Sequence, residues 1–219
     1  MIKAVIYDMD GVVINTIPLG KKAEYEIFKK RGIILKEEMY KDTIGMRENE
    51  TIDYWRKKYR WSNINPKEVL QEYLSYYEKE IYANGALMKG VLKSLQFFQN
   101  KQVKLALASS SYMRQINAVV EKFDLERYFD VICSAEYEEY GKPHPGVYLA
   151  TAKRLEVSPD ECLAIEDSLN GIIAAKSARM KCLCVPLSEL DDRAFSIADH
   201  ILPSLSDIND EIWNELNAS

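Results

Sequence analysis

Residues 4–13 read AVIYDMDGVV: an apolar run, Ala4-Val5-Ile6, that carries directly into two carboxylates, Asp8 and Asp10. Carboxylates at the mouth of a buried strand are costly unless a cation or hydrogen-bond donors compensate them. Two of them this close repel each other, which drives one towards its protonated form unless a cation lies between. The stretch therefore points to a metal and an acid–base pair.

The same kind of run recurs. Leu105-Ala106-Leu107-Ala108, Val131-Ile132-Cys133, Cys162-Leu163-Ala164-Ile165, Cys182-Leu183-Cys184-Val185 and a weak Ile201-Leu202 are all short and apolar without alternation. Such runs fit strands covered on both faces. Helix-length segments lie between them, with apolar stripes such as Val91, Leu95, Phe98 and Tyr148, Ala152, Leu155. Strand and helix alternating at this spacing imply right-handed crossovers and an α/β fold, a parallel sheet sandwiched by helices.

Residues 15–86 break the rhythm. They hold no convincing strand but several helical stripes, among them Ile52, Trp55, Tyr59 and Leu70, Leu74, Tyr77. This third contains 11 of the 23 aromatic residues and 14 Lys+Arg against 12 Asp+Glu, whereas the remainder has 15 against 22. The reading is a small helical bundle inserted after the first strand, with connections near Asn15-Thr16-Ile17-Pro18 and Asn84-Gly85-Ala86. Residues 1–14 and 87–219 then form the main domain. Trp55 and the Tyr76-Tyr77 pair are expected in the bundle core.

The 219-residue chain is 47% hydrophobic and 29% charged, ordinary for a globular protein with a full core. A net charge of -5 argues against nucleic acid as the main partner. No apolar stretch is long enough to cross a bilayer and no signal-peptide pattern opens the chain, so a cytoplasmic protein is expected; no exposed apolar stripe stands out, so a monomer is the default. Cys133, Cys162, Cys182 and Cys184 each sit inside an apolar run and read as buried thiols.

In an open parallel sheet, ligands collect at the carboxyl ends of the strands. The first strand delivers Asp8 and Asp10 there, the second Ser109-Ser110-Ser111, and the fourth Glu166-Asp167-Ser168; Gly141-Lys142-Pro143-His144-Pro145 follows the third. These groups suit phosphoryl transfer. Asp8, Asp10, Glu166 and Asp167 offer oxygen ligands to a hard cation such as Mg²⁺. Hydroxyls and amides of Ser109 and Ser110 at a strand end can meet an anion, and Lys142 balances the charge. With Asp8 held ionised it can attack phosphorus, and Asp10 can shuttle the proton. His144, flanked by prolines, reads as part of a turn leading into a helix and receives no role.

The pieces YDMDGVV, LALASSS, GKPHPGVY and AIEDSLNGI, in this order, resemble the haloacid dehalogenase superfamily. Within it the chain is similar to the branch of β-phosphoglucomutase and the small sugar-phosphate phosphatases. The resemblance implies a Rossmann-like three-layer α/β/α core with an inserted all-α helical cap. It makes Asp8 the nucleophile and Asp10 the acid–base, whose backbone carbonyl also meets Mg²⁺. It makes Ser109 a phosphoryl ligand, Lys142 the bridge between Asp8 and the phosphate, Asp167 a metal ligand and Glu166 a support of the metal site. It places the substrate-contacting loop of the cap near Gly45-Met46-Arg47, so Arg47 is a candidate for gripping substrate.

Three positions depart from that pattern. The family often has Asp at Asn15 and Glu at Ile17, and the mutase has a His where this chain has Gly20. A mutase must return the phosphoryl group to a sugar, so the absent His favours hydrolysis. The sequence thus points to a Mg²⁺-dependent phosphatase of a small sugar or polyol phosphate. A β-phosphoglucomutase-type mutase is the alternative, and a non-catalytic phosphometabolite sensor stands behind both.

Overall fold

The computed structural model describes residues 1–43, 46–61, 64–187 and 195–218, with the backbone alone at Lys41. Its centre is a six-stranded, wholly parallel sheet in the order β3-β2-β1-β4-β5-β6. The strands are β1 (Ala4–Tyr7), β2 (Lys104–Ser109), β3 (Val131–Ser134), β4 (Cys162–Glu166), β5 (Lys181–Cys184) and β6 (His200–Ile201). The six apolar runs of the sequence are these strands, the last two each shifted by one residue towards the N-terminus.

Strand periodicity sends alternate residues to opposite faces, and here the two faces differ in bulk. Val5, Tyr7, Leu105, Leu107, Leu163, Ile165 and Leu183 share one cluster with α4 (Val91–Asn100), α5 (Met113–Lys122) and α8 (Asp210–Ala218). Tyr7 meets Phe98 and Phe129 edge-on, at centroid distances of 6.3 and 6.0 Å. Ala4, Ile6, Ala106, Ala108, Ala164 and the thiols Cys133, Cys162, Cys182 and Cys184 form the other cluster. Small side chains there let α6 (Gly146–Leu155) and α7 (Leu169–Ser177) pack closely, which is why Ala152, Ala174 and Ala175 face them. All four cysteines are buried free thiols.

Between β1 and α4 the chain forms α1 (Ile17–Lys29), a 3-10 turn (Glu37–Asp42), α2 (Glu48–Lys58) and α3 (Pro66–Asn84), with no strand among its described residues. α1 opens at Ile17, so the leading connection is shorter than expected; Pro18 fits its first turn, where no intrahelical donor is lost. α3 opens on Pro66 with the Asn65 side chain accepting from Lys67 N at 3.1 Å. The first cluster runs on through Ile14 into Leu19, Ile27, Phe28, Ile52 and Trp55. Two stripe members fall outside the core. Tyr59 is 41% exposed because α2 ends at Lys58, and Leu70 is half-buried while Val69, Leu74 and Tyr77 carry the buried seam of α3.

The chain leaves and re-enters the sheet at one place. Ile14 bridges Leu87 antiparallel, and Met88 N donates to Val13 O at 2.9 Å. Among the described residues no helix is long and apolar enough to cross a membrane.

Candidate active site

β1 is paired on one side with β2 and on the other with β4, so the carboxyl ends of three adjacent strands meet. Asp8 follows β1 and its N–H donates to Ile165 O at 2.9 Å. The chain then turns tightly: Val13 N and Ile14 N both donate to Met9 O, and Gly11 takes φ +83°. Glycine is required there by conformation and by space, since a Cβ would lie 2.1 Å from Asp167 Oδ2. The turn brings Asp10 round to face β2.

The Lys142 ammonium, delivered by the β3–α6 loop, joins the ends. Its Nζ donates to Asp8 Oδ1 at 2.6 Å, to Glu166 Oε1 at 2.7 Å and to Ala108 O at 3.2 Å. Both partners are buried, Glu166 completely. Tyr148 of α6 completes this knot. Its hydroxyl donates to Glu166 Oε1 at 2.6 Å and accepts from Lys142 at 3.2 Å, with the ammonium 4.6 Å from the ring centroid. Glu166 Oε2 accepts from Asp167 N and from the Ser168 hydroxyl. Gly171, in the first turn of α7, leaves the room this carboxylate occupies, because a Cβ would fall about 2.0 Å from its oxygens.

Asp10 is held separately. Its Oδ2 accepts from the hydroxyls of Ser109 and Ser111, each at 2.8 Å, and Ser111 N donates to Ser109 Oγ at 2.9 Å. Ser134 Oγ, beside Ser109 in the sheet register, donates to Ser111 O at 2.6 Å. None of the three serines caps α5; that position is Tyr112.

The electrostatics are those of a site short of positive charge. Oxygens of Asp8, Glu166 and Asp167 lie within 4.8 Å of one another. Burial, only partly offset by Lys142, pushes the Asp8 carboxyl well above the usual range, and Glu166 and Asp10 push it further. Burial and the same two neighbours raise Asp167 to about 8. Burial alone would lower Lys142, but Asp8 and Glu166 hold it above its ordinary value. Three hard oxygen donors sharing one ammonium fit a divalent cation, whose charge lets all of them ionise. Because each Glu166 oxygen already accepts two hydrogen bonds, the donors best free for a cation are Asp8 and Asp167.

A cavity of about 1080 Å³ opens above this cluster, lined on the sheet side by Asp8, Asp10, Ser110, Ser111, Lys142 and Asp167. Ser109 is fully buried beneath it. On the helical side, Glu24, Arg47, Glu48, Tyr73 and Tyr77 line it, as does Gly20, where a Cβ would meet Tyr73 only at 3.5 Å. Tyr77, expected in the bundle core, is buried yet reaches the cavity wall, sharing a hydrogen bond with Thr16. Gly45 lies outside the described residues. The Arg47 guanidinium is engaged: Nε and Nη2 donate to Glu50 Oε1 at 3.2 and 3.0 Å, while Arg47 N donates to Glu50 Oε2. His144 lies in the turn before α6, its Nδ1 accepting from Gly146 N at 3.1 Å. Sequence reasoning missed Tyr148, Glu24 and Glu48, and brought Ser111 to this edge without giving it a role.

Residues 5–185 match the family of haloacid dehalogenase-like hydrolases. Hexitol phosphatase B of Escherichia coli (strain K12) is 35% identical over 209 residues, 94% of each chain. The phosphorylated carbohydrates phosphatase of Thermotoga maritima is 32% identical over 194 residues, 87% of this chain and 88% of its own. Among solved structures, β-phosphoglucomutase from Clostridium difficile is similar with a TM-score of 0.85 at 27% identity, over 100% of this chain and 98% of its own.

Proposed function

The chain belongs to the haloacid dehalogenase-like hydrolases, and on that footing we propose that it is a Mg²⁺-dependent phosphatase of a small sugar or polyol phosphate. The observation that carries this reading is the convergence of Lys142 on Asp8 and Glu166, at 2.6 and 2.7 Å, beside the Asp167 carboxylate. The names of the two phosphatases above support the substrate class.

In this reading an Asp8 oxygen attacks phosphorus, and the bond from phosphorus to the sugar oxygen breaks. Asp10, oriented by Ser109 and Ser111, gives that oxygen its proton. Asp10 then takes a proton from water, the water oxygen attacks phosphorus, and the bond to Asp8 breaks, releasing phosphate and restoring Asp8 as a carboxylate and Asp10 as an acid. Lys142 holds Asp8 in place and faces the charge developing on the phosphoryl oxygens. Ser110, at the cavity wall, is the serine we assign to the phosphoryl group; Ser109 serves it through Asp10. Asp8, Asp167 and the Asp10 carbonyl would hold Mg²⁺, with Glu166 behind them, and the ion supplies positive charge that keeps Asp8 ionised. Residues 15–86 act as a cap over a catalytic core of residues 1–14 and 87–219, excluding bulk water and selecting the leaving group.

Phosphate release from p-nitrophenyl phosphate and from hexitol phosphates in Mg²⁺, lost in Asp8→Asn, is the expected result. The likeness to β-phosphoglucomutase favours a second reading, transfer back to a sugar. Formation of glucose 6-phosphate from β-glucose 1-phosphate faster than phosphate release would establish it in place of hydrolysis.

A further inference from the structure

The helical wall of the cavity is richer in carboxylates, Glu24, Glu37, Glu38 and Glu48, than in cations, Lys21 and Arg47. Glu24 of α1 and Glu48 at the start of α2 both line it. Burial pushes each carboxyl up to about 7, and Glu24 and Asp10 add to the shift at Glu48. Glu48 is held in position from the sheet side: Gln115, a completely buried residue of α5, donates its Nε2–H to Glu48 Oε1 at 3.2 Å. The amide oxygen of Gln115 is buried with no hydrogen-bond partner among the described residues, an unused acceptor beside Glu48. Burial, reinforced by these carboxylates, keeps the Tyr73 hydroxyl neutral.

Three cations line the same cavity among the side chains described, and each already has a carboxylate. Lys142 is held by Asp8 and Glu166, Lys21 by Glu37, and Arg47 by Glu50. The wall facing Asp8 thus presents acceptors and neutral hydroxyls, and each described cation there already faces a carboxylate that competes with a second phosphate.

Resting on the phosphatase reading, we propose that this wall selects the tail of the substrate. Glu24 and Glu48 accept hydrogen bonds from the hydroxyls of an uncharged polyol or sugar tail, and their charge turns away esters carrying a second phosphate. The substrate class is a polyhydroxylated monophosphate, with Glu24 and Glu48 as specificity-determining residues and Gln115 as the residue that positions Glu48.

The test, run at about pH 8 so that both carboxyls are mostly ionised, compares glucose 6-phosphate and sorbitol 6-phosphate with glucose 1,6-bisphosphate and fructose 1,6-bisphosphate. In the unaltered protein kcat/KM is expected to be at least tenfold higher for the monophosphates. In Glu24→Gln/Glu48→Gln that ratio is expected to fall at least threefold, because the amides keep hydrogen bonding but lose the charge. A folding defect lowers both members of the ratio together and cancels. Bisphosphates used as well as monophosphates, or a ratio unmoved in the double variant, would overturn the proposal. Calorimetric binding of the same esters to Asp8→Asn separates this idea from the phosphatase reading. Tighter binding of monophosphates, with no ester turned over by the unaltered protein, ends the latter and retains the former; equal binding ends the former, and binding of neither together with no turnover by the unaltered protein ends both.

Discussion

Tyr148→Phe isolates one bond in the buried knot around Lys142. The change removes a hydroxyl that donates to Glu166 Oε1 at 2.6 Å and accepts from Lys142 at 3.2 Å. The ring stays, and with it the contact 4.6 Å from the ammonium, so no large cavity opens. A hydrogen bond to a charged group contributes about 1.5–3 kcal/mol. At roughly 2–4 °C per kcal/mol for a chain of this size, the melting temperature should fall by roughly 3–12 °C. Urea unfolding gives the free energy, and a double-mutant cycle with Glu166→Gln assigns it to the pair. If the hydroxyl acts through Glu166, the two changes couple by about 1 kcal/mol or more. Turnover should show kcat lowered more than KM, since the bond fixes Lys142 rather than the substrate tail. Additivity of the two substitutions, or unchanged stability in Tyr148→Phe, would refute the reasoning.

Three further outcomes follow from the same geometry. Gly171→Ala sits inside α7, where such a change ordinarily stabilises by about 0.5–1 kcal/mol; here a Cβ about 2.0 Å from the Glu166 oxygens should reverse the sign, and a higher urea midpoint would contradict this. Asp167→Asn removes one of the crowded carboxylates, so the metal-free protein should melt higher while its stabilisation by Mg²⁺ shrinks, both read by scanning fluorimetry with and without chelator. Glu24 and Glu48 are raised to about 7 in the folded chain, so the folded state keeps protons that the unfolded state has released. Their contribution to stability is therefore present below about 4.3 and lost as pH rises towards 7. The stability of Glu24→Gln/Glu48→Gln relative to the unaltered chain should rise from about pH 5 to about pH 8, and a flat difference would count against these shifts.

The sheet was readable because a strand covered on both faces must be apolar throughout, and Ala4–Ile6, Leu105–Ala108 and Cys162–Ile165 satisfy that without interruption. Carboxylates at the ends of such runs stand out for the same reason, so Asp8, Asp10 and Asp167 could be picked out, and Lys142 by its stiff Gly-Lys-Pro setting. What resisted reading depends on contacts distant in sequence. Tyr148 fits an apolar stripe, and that stripe is buried, but its hydroxyl finds Glu166 18 residues on. Three consecutive serines carry no mark of direction; the turn at Gly11 brings Asp10 onto Ser109 and Ser111 and leaves Ser110 at the cavity. Glu24 and Glu48 look like ordinary exposed helix residues until the helices fold over the sheet. For Arg47 the sequence did hold a signal: Glu50 three residues on, at a helix start, is capping-box spacing.

The antiparallel bridge between Ile14 and Leu87 sets the two ends of the helical segment side by side. A segment whose ends meet can be exchanged for another of different length without moving Asp8, Asp10, Lys142 or Asp167. In the function proposed above, the fold thereby separates the machinery that breaks the ester from the surface that inspects its alcohol, and new selectivities could be grafted through a single doorway in the backbone.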